Sequence, residues 1–197
     1  LAYLADPMQG LRIVDVSDPA DLTLLSAFDA PYITKDVAVA GLIAYLAMDE
    51  GGLCLVDVSD PSAPIDLGAV DGTDGAIAVA VDGDTAFVAR GDAGVMGVLF
   101  EGSTPTLSGT FDTAGHAYDV VMAGEYVLIA AGEAGLQIIN RSPVDELEQV
   151  GVLDTVYESM AVAVDGTTAY VADGDGGLRI VDISDPASPH TVVRVDT

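Results

Sequence analysis

Short apolar runs, each about five residues long and set apart by Gly, Asp and Pro, fill the chain from end to end. Two kinds of run alternate. The first opens on a small residue followed by a large one: Ala2-Tyr3, Ala44-Tyr45, Ala86-Phe87, Val127-Leu128 and Ala169-Tyr170. These pairs are 42, 42, 41 and 42 residues apart. The second run follows nine residues later: Leu11–Asp15, Leu53–Asp57, Val95–Leu99, Leu136–Asn140 and Leu178–Asp182. A Ser-Asp-Pro turn comes after it at 17–19, 59–61 and 184–186. Short runs with turns at a fixed period of roughly 40–45 residues predict a repeat protein with one small sheet per repeat.

Each unit holds four strand candidates. Strand A is 36–40, 78–81, 119–122 and 161–164, closed by Gly41, Gly83, Gly124 and Gly166; Asp-Gly at 82–83 and 165–166 is a hairpin signal. Strands B and C are the two runs above. Strand D is 23–28, 65–70, 106–111, 147–152 and 191–195. Strands A, B and C are apolar on both faces, which fits sheets covered on both sides. No segment has a helical period with caps. The expected fold is all-β: a β-propeller of about five four-stranded blades in a single domain, with blades at 1–29, 30–71, 72–112, 113–154 and 155–197. The first blade lacks its strand A within this chain. The ring therefore either closes with one thin blade or belongs to a longer propeller, and the free edge of strand B offers a site for pairing with another chain.

The Leu-x-Ile-Val-Asp strand and its Ser-Asp-Pro turn resemble the LVIVD-repeat family of β-propellers across essentially the whole chain. Copy three, Val98–Ser103, departs from the pattern, having neither the closing Asp nor the Ser-Asp-Pro; copy four keeps Asn140 and Ser142-Pro143. The resemblance implies a secreted or surface-anchored protein and names no reaction.

Charge narrows the partners. Against 32 acidic residues stand six Lys and Arg, a formal net charge of −26. Such a surface repels phosphate backbones, so nucleic acid and anionic membrane are poor partners. It suits divalent cations or basic proteins, and it resembles the surfaces of salt-adapted secreted proteins; solubility alone is the simpler explanation. No apolar run approaches the roughly 20 residues that span a bilayer, so membrane insertion is not expected. No signal-peptide pattern appears, and the chain opens inside a strand without an initiator Met, which points to a processed or cut N-terminus. Cys54, the single cysteine, sits mid-strand as a small apolar side chain and can form no disulfide within the chain.

The strand directions put the B–C turns and the D–A connections on one face, around the mouth of a channel. Four of the five B–C turns carry a carboxylate at their centre, giving Asp49, Asp92, Glu133, Asp173 and Asp175 as metal candidates with Ca2+ the ion such turns suit. They lack the spacing of a calcium loop, and Asp and Gly are also the best turn formers. Arg90-Gly91-Asp92 is an adhesive tripeptide by composition, one substitution away from the corresponding Asp173-Gly174-Asp175. The D–A connections vary most. They gather Tyr32, Lys35, Asp36, Asp74, His116, Tyr118, Asp119, Tyr157 and Glu158 as candidate ligand-binding residues, since loop variation on a constant scaffold is where binding lives. The competing reading is that these side chains cap the channel and satisfy backbone groups. His190, on the opposite side, has no His or Cys partner. No nucleophile elbow, paired-His motif or phosphate loop is present.

Three functions follow, in order of preference. The first is a non-catalytic, extracellular or cell-surface module binding protein, glycan or cation through its acidic loop face. The second is a propeller lyase or hydrolase with an axial cation or a His/Asp site, using His116, Tyr118, Asp119 and Lys35. The third is a structural segment of a large surface assembly.

Overall fold

The structure is a computed structural model that describes residues 1–100 and 104–196. Among the described residues, nineteen strands form five antiparallel sheets in chain order. The first sheet has three strands, β1 (Ala2–Asp6), β2 (Gly10–Asp15) and β3 (Thr23–Phe28). The second runs β4 (Asp36–Ala40), β5 (Ile43–Ala47), β6 (Leu53–Asp57) and β7 (Ile65–Val70). The third runs β8 (Ala78–Asp82), β9 (Thr85–Ala89), β10 (Val95–Leu99) and β11 (Thr106–Phe111). The fourth runs β12 (Asp119–Ala123), β13 (Tyr126–Ala130), β14 (Leu136–Asn140) and β15 (Gln149–Leu153). The fifth runs β16 (Ser159–Asp165), β17 (Thr168–Asp173), β18 (Leu178–Asp182) and β19 (His190–Val195). Among the described residues, a single 3-10 turn at Gly174–Gly176 is the one helical element. The expected strands are present to within two residues at nearly every end. The first sheet lacks a strand A, as the count of runs required.

The A–B–C ladders of the second to fourth sheets keep simple one-to-one register. Every C–D pair slips, between Ile13 and Val14, Leu55 and Val56, Met96 and Val98, Ile138 and Ile139, and Ile180 and Val181. A bulge at the same place in each outer strand strengthens the local twist. Strand D, the outermost of each sheet, is mostly exposed along its length.

Side chains of each sheet point alternately backward, to the preceding sheet, and forward, to the next. Four apolar clusters result, one per junction. Leu11 and Ile13 pack on Ala44, Leu46, Cys54 and Val56. Tyr45, Ala47 and Leu53 pack on Val79, Ala86, Val88 and Val98. Phe87, Ala89 and Val95 pack on Val120, Val127, Ile129 and Ile139. Leu128, Ala130, Leu136 and Ile138 pack on Val162, Ala169, Val171 and Val181. The inner strands stack in sequence, β4 on β8, β8 on β12 and β12 on β16. The small Ala and Val residues of strand A allow this close approach. Sheets two to four are thus covered on both faces, as the patterning predicts. Among the described residues, no strand of the first sheet packs on the fifth as neighbouring sheets pack, so the backward face of the first and the forward face of the fifth are uncovered here. Leu4, for example, is 49% exposed where its counterpart Leu46 is fully buried.

The repeat's signature has a simple local cause. Asp15, Asp57 and Asp182 accept the N–H of Ser17, Ser59 and Ser184; Asp18, Asp60 and Asp185 then accept the N–H of Ala20, Ser62 and Ala187. Two successive Asx turns carry the chain from strand C into the loop. In copy four, Asn140 does the same work over a longer reach, its Oδ1 accepting from Glu148 N and its Nδ2 donating to Glu146 O. This delays the outer strand, so β15 begins at Gln149 rather than at the expected Leu147. The departure at Glu101–Ser103 in copy three lies outside the described residues.

Candidate acidic loop face

Backbone pairing locks each B–C turn to the connection entering the next strand A. Asp49 N donates to Ala76 O at 2.8 Å, and Asp49 O accepts from Gly75 N at 2.7 Å. Gly91 pairs with Ala117 and Gly132 with Ser159 in the same way. The turn residue must be left-handed: φ is +48° at Asp49, +59° at Gly91 and +56° at Gly132. Asp49 is the only non-glycine with positive φ among the described residues. The first turn has Pro7 at this place. Proline has no N–H and a φ fixed near −65°, so no such bridge forms there. The corresponding Thr34 is fully buried with its Oγ1 unpartnered. These bridges put the B–C turns and D–A connections side by side, the shared face expected from strand direction.

The variable side chains then divide by what they touch. Asp36 and Asp119 are tie-beams between sheets. Asp119 Oδ1 accepts from Val120 N and its Oδ2 from Val162 N in the next sheet, both at 2.8 Å. Asp36 does the same for Val37 and Val79. Burial pushes the Asp119 carboxyl above its usual range, its backbone hydrogen bonds oppose this, and the charge of Asp36 adds to the rise.

Several aromatic candidates cover glycines of the turns. The Tyr32 ring lies where a Cβ on Gly51 would sit, His116 against Gly91, Tyr118 against Gly132, and Tyr157 against Gly176. Only glycine leaves room for these rings. His116 and Tyr118 stack with ring centres 4.4 Å apart, and His116 Nδ1 is 2.7 Å from Asp92 Oδ1. Arg194 lies over Tyr157, its guanidinium carbon 5.7 Å from the ring centre.

All six cationic side chains are engaged within the chain. Arg12 pairs with Asp6, Lys35 with Asp49, Arg141 with Asp82 and Arg179 with Asp173. Arg90 donates to Asp74 O, and Arg194 to Gly176 O. The Arg90-Gly91-Asp92 tripeptide is therefore held at both ends, by Asp74 and by His116.

What remains is carboxylate. Glu133, Glu158 and Asp175 line a pocket of about 580 Å3 with Thr155, Val156, Tyr157, Met160 and Gly174. A second hollow of about 280 Å3 adjoins it, lined by His116, Tyr118, Gly132 and again Glu133 and Glu158. Among the described residues these three carboxylates have neither hydrogen bond nor ion pair. The structure thus unites His116, Tyr118, Glu133, Tyr157, Glu158 and Asp175 across the third to fifth sheets. Tyr32, Lys35 and Asp49 sit apart, between the first and second, and Asp74 lies with Arg90 between the second and third. Asp173 is fully buried against Arg179, its Oδ2 2.6 Å from Nη2, a turn-bracing pair rather than a free ligand. No three His, Cys, Asp or Glu side chains among the described residues converge as a metal site would require. A larger hollow than either, about 720 Å3, opens elsewhere, between the second and third sheets beside Tyr45 and Phe100. Thr155 and Met160 were not expected in the pocket. Their sequence signal is position, each two residues outside the Tyr157-Glu158 pair.

Fold and loop face together define an all-β repeat protein of successively stacked, blade-like sheets with a variable rim on one side. The family model described as LVIVD repeat matches residues 1–30, 33–72, 114–142 and 158–197, and the chain belongs to that family. The longest unmatched stretch, residues 73–113, is the third copy, where the signature residues are missing; residues 143–157 are unmatched as well. No curated protein matches the sequence. Among solved structures, the crystal structure of the computationally designed Ika8 protein is similar with a TM-score of 0.71 at 12% identity. The likeness covers 98% of this chain and 57% of that one, so this chain spans little more than half its length. At that identity the likeness speaks for the fold alone.

Proposed function

We propose that the chain is a β-propeller module, secreted or attached to the cell surface, that binds without catalysis. Its acidic loop face holds a cationic partner, a Lys- or Arg-rich protein segment. The propeller is supported by the 42-residue period and by the sequential stacking of inner strands. The observation that carries the binding reading is the pocket of Glu133, Glu158 and Asp175: three carboxylates without partners, in a chain whose every cation is already engaged. Unpaired carboxylates with an aromatic wall suit ammonium and guanidinium groups, which gain both charge pairing and a ring face. Net charge of −26 steers such a partner from a distance. Location outside the cell rests on the family resemblance.

A second reading is catalysis by the His116–Asp92 pair. The Asp92 carboxylate is 93% exposed. A pair so open to water acts as a surface contact, so this reading stands second. Calcium and glycan remain the other ligands to try.

The test is calorimetric titration with an oligo-lysine peptide, an uncharged glycan and CaCl2 in turn. The expected result is peptide binding that weakens by roughly tenfold in Glu133→Gln/Glu158→Gln, about 1.4 kcal/mol, and that fades at high salt. Equal affinity in the double variant removes this pocket from the reading. Binding of glycan or calcium alone replaces the peptide as ligand.

A further inference from the structure

Three of the four junctions between sheets are closed at the outer rim by the same device. The connection from strand C to strand D of the following sheet lays a carbonyl on strand D of the sheet before it. Pro61 O accepts from Ser26 Oγ at 2.6 Å, and Val144 O accepts from Gly109 N at 2.8 Å. A Cβ on Gly151 would lie 2.0 Å from Pro186 O. The closing residue is Pro or Val each time, so a compact apolar side chain arrives with the carbonyl. That of Val144 fills the space over Gly97.

The junction between the second and third sheets departs from this. By sequence its closing residue is Ser103, and Glu101, Gly102 and Ser103 bring no apolar side chain. The connection is also shorter. Asp15 pairs with Thr23, Asp57 with Ile65 and Asp182 with His190, but Leu99 pairs with Thr106, one residue sooner. Gly68 takes the place of Ser26, Gly109 and Gly151. A Cβ on it would meet nothing within 4 Å among the described residues, and its N–H turns to Asp66 Oδ1.

The hollow of about 720 Å3 stands at that place, within the size range of small-molecule sites. The equivalent hollow between the fourth and fifth sheets, where Pro186 is part of the wall, measures about 390 Å3. The larger one is walled by Ile43, Leu55 and Leu67 and by the rings of Tyr45 and Phe100, which meet edge to face with centres 5.1 Å apart. Asp84 adds a carboxylate where the smaller hollow has Thr167. It is exposed, and its side chain has neither hydrogen bond nor ion pair among the described residues. Burial, and after it the charge of Asp84, push the Tyr45 hydroxyl above its usual value, which sets that charge beside the ring.

We propose that this hollow binds a small aromatic amine, its ring in the corner that Pro or Val fills in the sister junctions and its ammonium at Asp84. The two aromatic side chains offer the ring edge and face contacts. The net charge of −26 favours a cation and disfavours a carboxylate of the same shape. The A–B hairpins and C–D connections that frame the hollow lie on the side away from the acidic loops, so the proposal is independent of what those loops bind.

The experiment titrates phenethylamine and 3-phenylpropionate into the whole chain and follows backbone amide chemical shifts. The amine should bind saturably, at about 1 mM or tighter, and move the amides of Gly41, Leu67, Gly68 and Asp84. The carboxylate should bind roughly tenfold more weakly. Asp84→Asn should weaken the amine by about three- to fivefold, as loss of an exposed ion pair does. Leu55→Trp places a larger side chain in the corner and should abolish binding. Ala40→Leu, on the same wall, is a second filled variant, and circular dichroism checks that both fold. Absence of saturable binding, equal binding of the carboxylate, or binding that survives in a folded filled variant overturns the proposal. So do shifts confined to Glu133, Glu158 and Asp175, which would put the amine in the acidic pocket instead.

Discussion

Asp119 shows how one side chain can look like chemistry and act as structure. Its place beside His116 and Tyr118 at the channel mouth suggested an acid–base role. Its two oxygens instead accept one N–H in its own sheet and one in the next. Burial raises its folded value above the ordinary 3.8. A carboxyl raised in this way contributes stability that is fully present below the unfolded value and is lost as pH rises through the folded one. Turn aspartates such as Asp57 behave oppositely. The Ser59 N–H holds the Asp57 carboxyl below 3.8, so its stabilisation is present above that value and lost as pH falls through the lowered one. The Asp119 contribution should therefore grow as pH falls through its raised value toward 3.8, and that of the turn aspartates should fade below 3.8. Urea midpoints measured from neutral pH down to acid check this, and Asp119→Asn, which cannot ionise, should lack the growth above 3.8.

Within an element, glycines that look alike in sequence differ in what their missing Cβ would meet. Gly83 closes the A–B hairpin of the third sheet at φ +59° with nothing within 4 Å. Gly83→Ala should cost only the left-handed strain, about 1–2 kcal/mol. Gly94 ends the B–C turn of the same sheet at φ +71°, where a Cβ would lie 2.1 Å from Phe111 O. That oxygen belongs to the backbone and has no flexible end to yield. Gly94→Ala should cost about 3 kcal/mol or more, the strain and the clash together. Denaturant unfolding of the two variants measures the difference; equal losses would show that the turn yields as a unit.

At the scale of the molecule, repeated sheets that touch only their neighbours make stability a sum of junctions, while charge acts on all of them at once. Six cations paired internally leave the rest of the acidic surface to repel itself. Raising NaCl from 50 mM to 1 M shortens the screening length from about 14 Å to about 3 Å, so the melting temperature should rise with salt. The rise should be the same at high and low protein concentration, as a charge effect within one chain requires.

The period, the strands and their order were legible in the sequence because each repeat writes the same alternation of apolar run and turn, and such patterns act locally. So were the missing first strand and the decay of the third copy. Grouping the B–C turns with the D–A connections also followed from the strand count alone. What the sequence could not decide was the use of each polar side chain there. Asp36 and Asp119 became ties, Asp173 a buried partner of Arg179, and Tyr32 and Tyr157 lids on glycine. Glu133, Glu158 and Asp175 were left unpaired. These outcomes depend on distances between sheets about 40 residues apart in the chain, and only the packed structure sets those distances. The same holds for the ends of the stack. Residues identical in kind are buried in the middle sheets and bare at the two extremes, because burial belongs to the neighbour and not to the residue.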